Sequence, residues 1–325
     1  MKAVVLSETG GPEQLVYGET PDAEVQPGRA LVRVRATGIN FLDVLVRQGR
    51  YPQPPELPTV LGAEFSGEVV SVGEGATGVT AGQRVMGLTG TQGGGYAELV
   101  DVDPAWLVQL PENASFTEGA SFLMAFLTAW LPLTRQVVVR PGSTVLVHAA
   151  AGGVGSAAVQ VARHLGARVV ATAGSDEKLQ LARELGAEVT INYRDEGDLA
   201  RRVREEAGGI DVVVDPVGGP VFAESLRMLR PLGTVIAIGF AGGFWEPLDP
   251  ALLVGRNIGV QGFYLGRLMG FDPDLVREAV RELVELWQQG ALRPVVGAEY
   301  PLAQAAEAHR LVEERRSVGK VLLTA

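Results

Sequence analysis

The chain contains no cysteine. Disulfides, thiol nucleophiles and thiolate metal sites are therefore excluded, and three histidines remain as nitrogen ligands of the usual kind. Positive charge is also short, with 28 lysines and arginines against 38 acidic residues and a formal charge of −10. Such a balance argues against a surface built for nucleic acid or an anionic membrane. Long apolar runs are missing too: the best, residues 120–133, reads as too short and interrupted to span a bilayer. Met1-Lys2-Ala3-Val4-Val5 reads as a strand rather than a secretory signal, so a soluble cytoplasmic enzyme is expected.

Glycine is abundant, with 42 residues spread along a chain of 325, and points to many tight turns. This length exceeds one ordinary core and suggests two domains. The most informative stretch is 143–167. Thr144-Val145-Leu146-Val147-His148 is an apolar, β-branched run of the kind that makes a buried parallel strand. Ala149-Ala150-Ala151-Gly152-Gly153-Val154-Gly155 then supplies small residues for a sharp turn. From Ser156 the period changes, with Ala158, Val161, Ala162 and Leu165 at helical spacing, and Gly166 ends the helix. Such a unit aims helix N-terminal amides at a pyrophosphate. The string is not a strict G-x-G-x-x-G, and an ordinary tight turn is the alternative. A second strand-like run at 168–173 closes a unit of about 30 residues and favours the dinucleotide site.

The end of that second strand bears on which dinucleotide is bound. An NAD site places a carboxylate about 20 residues after the glycines, where it accepts from the ribose 2′-hydroxyl. Here the chain reads Ala173-Gly174-Ser175-Asp176-Glu177-Lys178, leaving room, a hydroxyl and a lysine for a 2′-phosphate. NADPH is the expected cofactor. Ser175 also suits the N-cap of the next helix, with Asp176 and Glu177 in its first turn.

Residues 1–118 read as β-rich, with one helical insert at 40–48. From 116 to 133 the period is helical. Strands and helices then alternate: helix 176–185, strand 189–192, helix 199–207, strand 211–215, helix 221–229, strand 234–239 and strand 258–263. Two amphipathic helices, 274–289 and 303–314, and a last strand at 320–323 follow. The expected fold class is α/β: a doubly wound, parallel six-strand sheet over 119–264, with a β-rich domain built from 1–118 and 265–325.

Taken together, the chain resembles the zinc-free quinone oxidoreductases, related to zeta-crystallin, of the medium-chain dehydrogenase/reductase superfamily. The resemblance rests on Gly38-Ile39-Asn40-Phe41-Leu42-Asp43 with Arg47-Gln48-Gly49, and on Gly62-Ala63-Glu64-Phe65-Ser66-Gly67-Glu68-Val69. It continues through Val72-Gly73-Glu74-Gly75, Ala81-Gly82-Gln83-Arg84-Val85, Gly95-Tyr96-Ala97-Glu98, Leu127-Thr128-Ala129-Trp130, the 149–155 turn and Gly319-Lys320. It implies a Rossmann domain, a GroES-like catalytic domain, and a homodimer formed through the sheet edge near Ile258. Zinc-dependent members carry a cysteine and a histidine where this chain has Asn40 and Ala63. Without a Lewis acid for an alkoxide, substrates that are already electrophilic are favoured. The resemblance thus implies metal-free reduction of quinones by hydride (or electron) transfer from NADPH, with the substrate held between the domains. The alternatives are reduction of α,β-unsaturated aldehydes, ketones or enoyl thioesters, or a non-catalytic NADPH-binding protein.

The resemblance also suggests roles. Asn40 would bond the nicotinamide ribose or the substrate oxygen, or else cap a helix. Asp43 and Arg47, four apart on one helical face, would take part in catalysis or form a local ion pair. Tyr51 would line the pocket and donate a proton, or simply pack, and Leu45 replaces the second tyrosine common in relatives. Gly152, Gly153, Val154 and Gly155 would face the pyrophosphate, Gly174, Ser175, Lys178 and Tyr193 the adenine ribose phosphate, and Thr128 the nicotinamide ribose. Backbone groups at Phe240, Phe263, Tyr264 and Leu265 would meet the carboxamide, and Lys320 the phosphates. His148 is expected to be a satisfied structural histidine. His164 and His309 are given no role, and Trp106, Trp130, Trp245 and Trp287 are expected as core or interface anchors.

Overall fold

The computed structural model describes residues 1–90, 93–245 and 247–325. The chain divides into two compact units, Met1–Met124 with Arg293–Ala325, and Ala125–Leu292.

The second unit is built on a six-stranded sheet in which every pairing is parallel. Its order is Val189–Asn192, Arg168–Ala173, Thr144–Val147, Ile210–Asp215, Leu229–Ala237, Gly259–Gly262. The first strand in sequence lies third in space and reverses the winding direction, the position where open α/β sheets bind ligands. Leu146, Val170, Ile191, Val213 and Val235 are at most 1% exposed and pack with Ala200, Val203, Phe222 and Leu226 from the covering helices. Both faces of the sheet are covered, which is why its strands read as continuous apolar runs rather than alternating ones. The fold class expected from the sequence is the one observed.

The first unit holds a seven-stranded sheet. Its path is Val296–Pro301, Lys320–Thr324, Ala30–Gly38, Glu64–Val72, Arg84–Leu88, Leu107–Gln109, and Leu99–Val102 also pairs with Ala30–Gly38. A second sheet joins Leu15–Glu19, Lys2–Leu6 and Thr59–Val60. Along Ala30–Gly38 only Arg33 and Arg35 are exposed.

Several elements differ from expectation. Leu265–Phe271, where no element is expected from the sequence, is a helix anchored by buried Leu265. The helix Pro250–Arg256, capped by Asp249, and the strand Val296–Pro301 gave no sequence signal strong enough to place them. Residues 265–292, expected with the β-rich domain, fall in the second unit. There Glu282 on the helix Pro273–Gln288 accepts from Trp130 Nε1 at 2.7 Å and pairs with Arg135 at 2.8 Å. The apolar stretch 120–133 is part of the helical run Phe116–Gln136, whose 21 residues are long and apolar enough to cross a bilayer. Its most apolar window is 83% buried inside the protein, as in a core helix.

Candidate functional site

In the second unit the strand Thr144–Val147 leads through His148 into the glycine turn. His148 is fully enclosed, with Nδ1 2.8 Å from Thr172 Oγ1 and Nε2 2.9 Å from Ser225 Oγ. Burial holds its imidazole below the ordinary range, so it is a neutral hydrogen-bonding strut. Ala149 takes φ of 49°, and the Gly152 amide donates to Ala149 O at 2.9 Å, folding the turn tightly. A Cβ on Gly155 would stand 2.1 Å from Ala149 O, so only glycine allows the helix to start this close to the strand end. A Cβ on Gly152 would meet nothing nearer than that oxygen at 3.4 Å, so the turn is open where its backbone would face a ligand. Gly152 is also the N-cap of the helix Gly153–His164 and brings no side chain to its first-turn amides. Bare amides and a helix N-terminus are the donor set that a pyrophosphate takes. Gly152, Gly153, Val154 and Gly155 thus fit the cofactor's diphosphate.

The residues that the resemblance assigns to the 2′-phosphate lie at the ends of the strands Arg168–Ala173 and Val189–Asn192. Ser175 caps the helix Asp176–Leu185, its Oγ accepting from the Lys178 amide at 3.4 Å. Gly174 faces Tyr193, whose Oη would be 2.5 Å from a Cβ there. Tyr193 is 42% exposed and available to a ligand. Lys178 is half-buried, and burial followed by the charge of Arg194 lowers its pKa. Neither Gly174 nor Ser175 offers the carboxylate of an NAD site, so these residues fit a 2′-phosphate. Arg194 was not singled out in the sequence, because it follows a different strand and only the sheet register brings it near.

Of the other residues assigned to the cofactor, Thr128 is buried on the helix Leu123–Leu131. Phe240 follows Leu229–Ala237, its ring 5.5 Å from that of Trp245. Phe263 and Leu265 are buried and Tyr264 is 41% exposed, just past Gly259–Gly262. The Phe263 amide is engaged with Ala237 O at 3.0 Å.

In the first unit, the strand Ala30–Gly38 delivers Asn40 to the N-cap of the helix Phe41–Arg47. The Asn40 amide N–H donates to Asp43 Oδ2 at 2.8 Å, while its side chain turns elsewhere. Nδ2 donates to Glu64 Oε1 at 3.1 Å and Gly38 O at 3.3 Å, and Oδ1 accepts from Lys320 Nζ. Asn40 therefore stands at the N-cap, and its carboxamide belongs to a polar cluster with Glu64 and Lys320. The second Glu64 oxygen accepts from the Met124 amide at 3.1 Å. Lys320, expected at the phosphates, is only 5% exposed and pairs with Glu64 and Asn40. The register Leu322↔Gly38 brings its strand alongside Ala30–Gly38 and so places its ammonium there.

Asp43 and Arg47 form no ion pair with each other among the described residues. Asp43 faces inward, accepting from the amides of Asn40 and Gly62, and burial raises its pKa to about 6. Arg47 is fully buried, donating to Gly10 O and Glu313 Oε2, each at 2.7 Å. Both are bound up in structural contacts, and the local ion pair suggested by their spacing gives way to Arg47–Glu313. Tyr51 is half-buried against a cluster that includes Val4, Leu6, Ile39 and Val46. Two further residues complete the cluster. Tyr96 Oη is 3.0 Å from His309 Nε2, and burial together with the nearby Asp43 charge raises its pKa. His309 lies on a helix expected to be amphipathic, and only the packing of that helix shows it to be buried.

Comparison with known proteins fits this geometry. Residues 26–112 match the alcohol dehydrogenase GroES-like domain family, and 153–288 match the family described as zinc-binding dehydrogenase. Asn40 and Ala63 lie in the former range. Quinone oxidoreductase-like protein 2 of Bos taurus is 38% identical, over 99% of this chain and 92% of its own. The quinone oxidoreductase of Thermus thermophilus, solved alone and with NADPH, is 40% identical with a TM-score of 0.87, covering 100% of both chains. Escherichia coli quinone oxidoreductase, solved with NADPH, is 33% identical with a TM-score of 0.93, covering 100% of both chains. The chain therefore belongs to the medium-chain dehydrogenase/reductase superfamily, among the quinone oxidoreductases and their relatives.

Proposed function

We propose that this protein is an NADPH-dependent, metal-free reductase of quinones. The observation that carries the cofactor half is the end of the second nucleotide strand, where Gly174, Ser175, Lys178 and Tyr193 stand in place of a ribose-binding carboxylate. The acceptor half rests on relatives named as quinone oxidoreductases. When bound, NADPH supplies the hydride (or electrons) that reduces the acceptor.

The chain's own residues bind and orient. The amides of Gly152–Gly155 hold the diphosphate and the helix dipole favours its charge. Ser175, Lys178 and Tyr193 hold the 2′-phosphate. Thr128 takes the nicotinamide ribose, and the backbone at Phe240 and Phe263–Leu265 takes the carboxamide. Asn40 orients the reacting groups. Its carboxamide is fixed by Glu64 and Lys320, so the positive charge beside it comes from an ammonium. Tyr51 or water delivers the proton. The edge strand Gly259–Gly262, with Val254 78% and Leu232 88% exposed nearby, supports pairing of two copies edge to edge. Gel filtration should then give twice the 34.3 kDa of one chain, and a monomer would count against pairing.

The test is NADPH oxidation, followed by nicotinamide absorbance, against a small quinone, a polycyclic quinone and a conjugated alkenal, with NADH in parallel. Turnover of quinones with NADPH is the expected result. Turnover of the alkenal alone would move the enzyme to the enone reductases, and NADPH binding without any turnover would indicate a non-catalytic protein.

A further inference from the structure

The strands Arg168–Ala173 and Val189–Asn192 are parallel neighbours, with Ala173 opposite Asn192. Both strands therefore leave the sheet at one level, and the residues that follow meet. The Tyr193 amide donates to Ala173 O at 3.1 Å, and the Arg194 amide donates to Asn192 Oδ1 at 3.0 Å, fixing the turn. A Cβ on Gly174 would stand 3.1 Å from Arg194 Nε. The guanidinium thus lies over the residue that replaces an NAD-type carboxylate.

Its charge is not spent locally. Arg194 is exposed and, among the described residues, takes part in no ion pair, although two acidic residues follow it. Asp195 turns instead to Arg202, at 3.2 Å. Meanwhile Arg194 is close enough to Lys178 to disfavour its protonated form. Two cations gathered around Gly174 and Ser175 repel one another, an arrangement that becomes favourable when a dianion joins them.

We propose that Arg194 is a specificity-determining residue, clamping the 2′-phosphate of NADPH opposite Lys178, with the hydroxyls of Ser175 and Tyr193 between. This rests on the NADPH reading above. The forked guanidinium supplies two parallel N–H donors to the phosphate oxygens, which a lysine cannot.

The test is binding rather than turnover. Dissociation constants for NADPH, NADH and adenosine 2′,5′-bisphosphate are measured by calorimetry on the wild type, Arg194→Ala, Arg194→Lys and Lys178→Ala. Arg194→Ala should weaken NADPH and the bisphosphate about 10- to 100-fold, leave NADH within about twofold, and be partly rescued in Arg194→Lys. Because the guanidinium has no ion-pair partner to lose among the described residues, the melting temperature should not move. Unchanged NADPH affinity in Arg194→Ala, or equal losses for NADPH and NADH, overturns the proposal while leaving Lys178→Ala to report on the rest of the site. A wild type that binds NADH as tightly as NADPH instead overturns the cofactor reading itself.

Discussion

Tyr96 Oη lies 3.0 Å from His309 Nε2, ring edge to ring face, and the two side chains are completely buried. Asp43 is near enough to raise the pKa of the same hydroxyl, so Tyr96 neighbours both an acid and a base that burial pushes in opposite directions. Burial raises Asp43 from the ordinary 3.8 to about 6. Burial, with the nearby Arg47 charge, lowers His309 from 6.5 to about 3. Between pH 3.8 and 6 native Asp43 keeps a proton that the unfolded chain has shed, so its contribution to stability falls as pH rises. Between pH 3 and 6.5 the unfolded chain holds a proton that native His309 lacks, so its contribution falls as pH drops.

The two slopes oppose each other, and each variant should expose the other's. Asp43→Asn should make stability rise more steeply from pH 4 to 6, gaining up to about 3 kcal/mol on the wild type. His309→Gln should make stability fall over the same interval. Urea denaturation at several pH values measures both, and parallel curves for all three proteins would contradict the assignment.

Gly155 provides a second prediction. A Cβ there would be 2.1 Å from Ala149 O and 2.8 Å from Ala150 Cα, and neither backbone atom can move without opening the turn. Gly155→Ala should cost about 1–3 kcal/mol in stability and weaken NADPH binding at least tenfold, because the amides leave their positions. Gly152→Ala has room for its methyl within the protein, so it should keep stability and lose affinity only. Fluorescence titration with NADPH and thermal melts separate the two cases.

These contrasts show what could be read from the chain. The strands of the nucleotide sheet were legible because burial on both faces makes them continuous apolar runs, and the glycine turn because its geometry demands small residues in sequence. The surroundings of Lys320, Arg47 and His309 were not legible, since their partners lie far away in sequence: Lys320 meets Asn40 280 residues away, Arg47 meets Glu313 266 away, and Tyr96 meets His309 213 away. Arg194 was missed for the same reason over a shorter distance. In the helix Pro250–Arg256 the apolar residues Ala251, Leu252, Leu253 and Val254 are consecutive rather than spaced by three or four, so no helical period marks it.

Arg47 separates a structural from a catalytic role. Its guanidinium is fully buried and its carboxylate partner Glu313 is 34% exposed. Arg47→Met should destabilise by about 3–5 kcal/mol, as expected when one partner of a buried pair is removed. Glu313→Gln should cost less, since water reaches that side. At a temperature where both variants remain folded, kcat should stay within about threefold of the wild type. A far larger loss of kcat in the folded Arg47→Met protein would restore a catalytic role.

The Glu64–Lys320 pair decides whether the lysine also serves the phosphates. With side chains 1% and 5% exposed, neither charge can be left alone without cost. Glu64→Gln and Lys320→Met should each lose about 3–5 kcal/mol, whereas the double variant removes both charges and should regain most of that loss. If Lys320 acts only through Glu64 and Asn40, NADPH affinity should follow the same pattern, falling in each single variant and recovering in the double. This is the expected outcome, because the ammonium is already occupied by two partners. A double variant that regains stability but still binds NADPH tenfold more weakly would mean that the ammonium leaves Glu64 for the cofactor's phosphates.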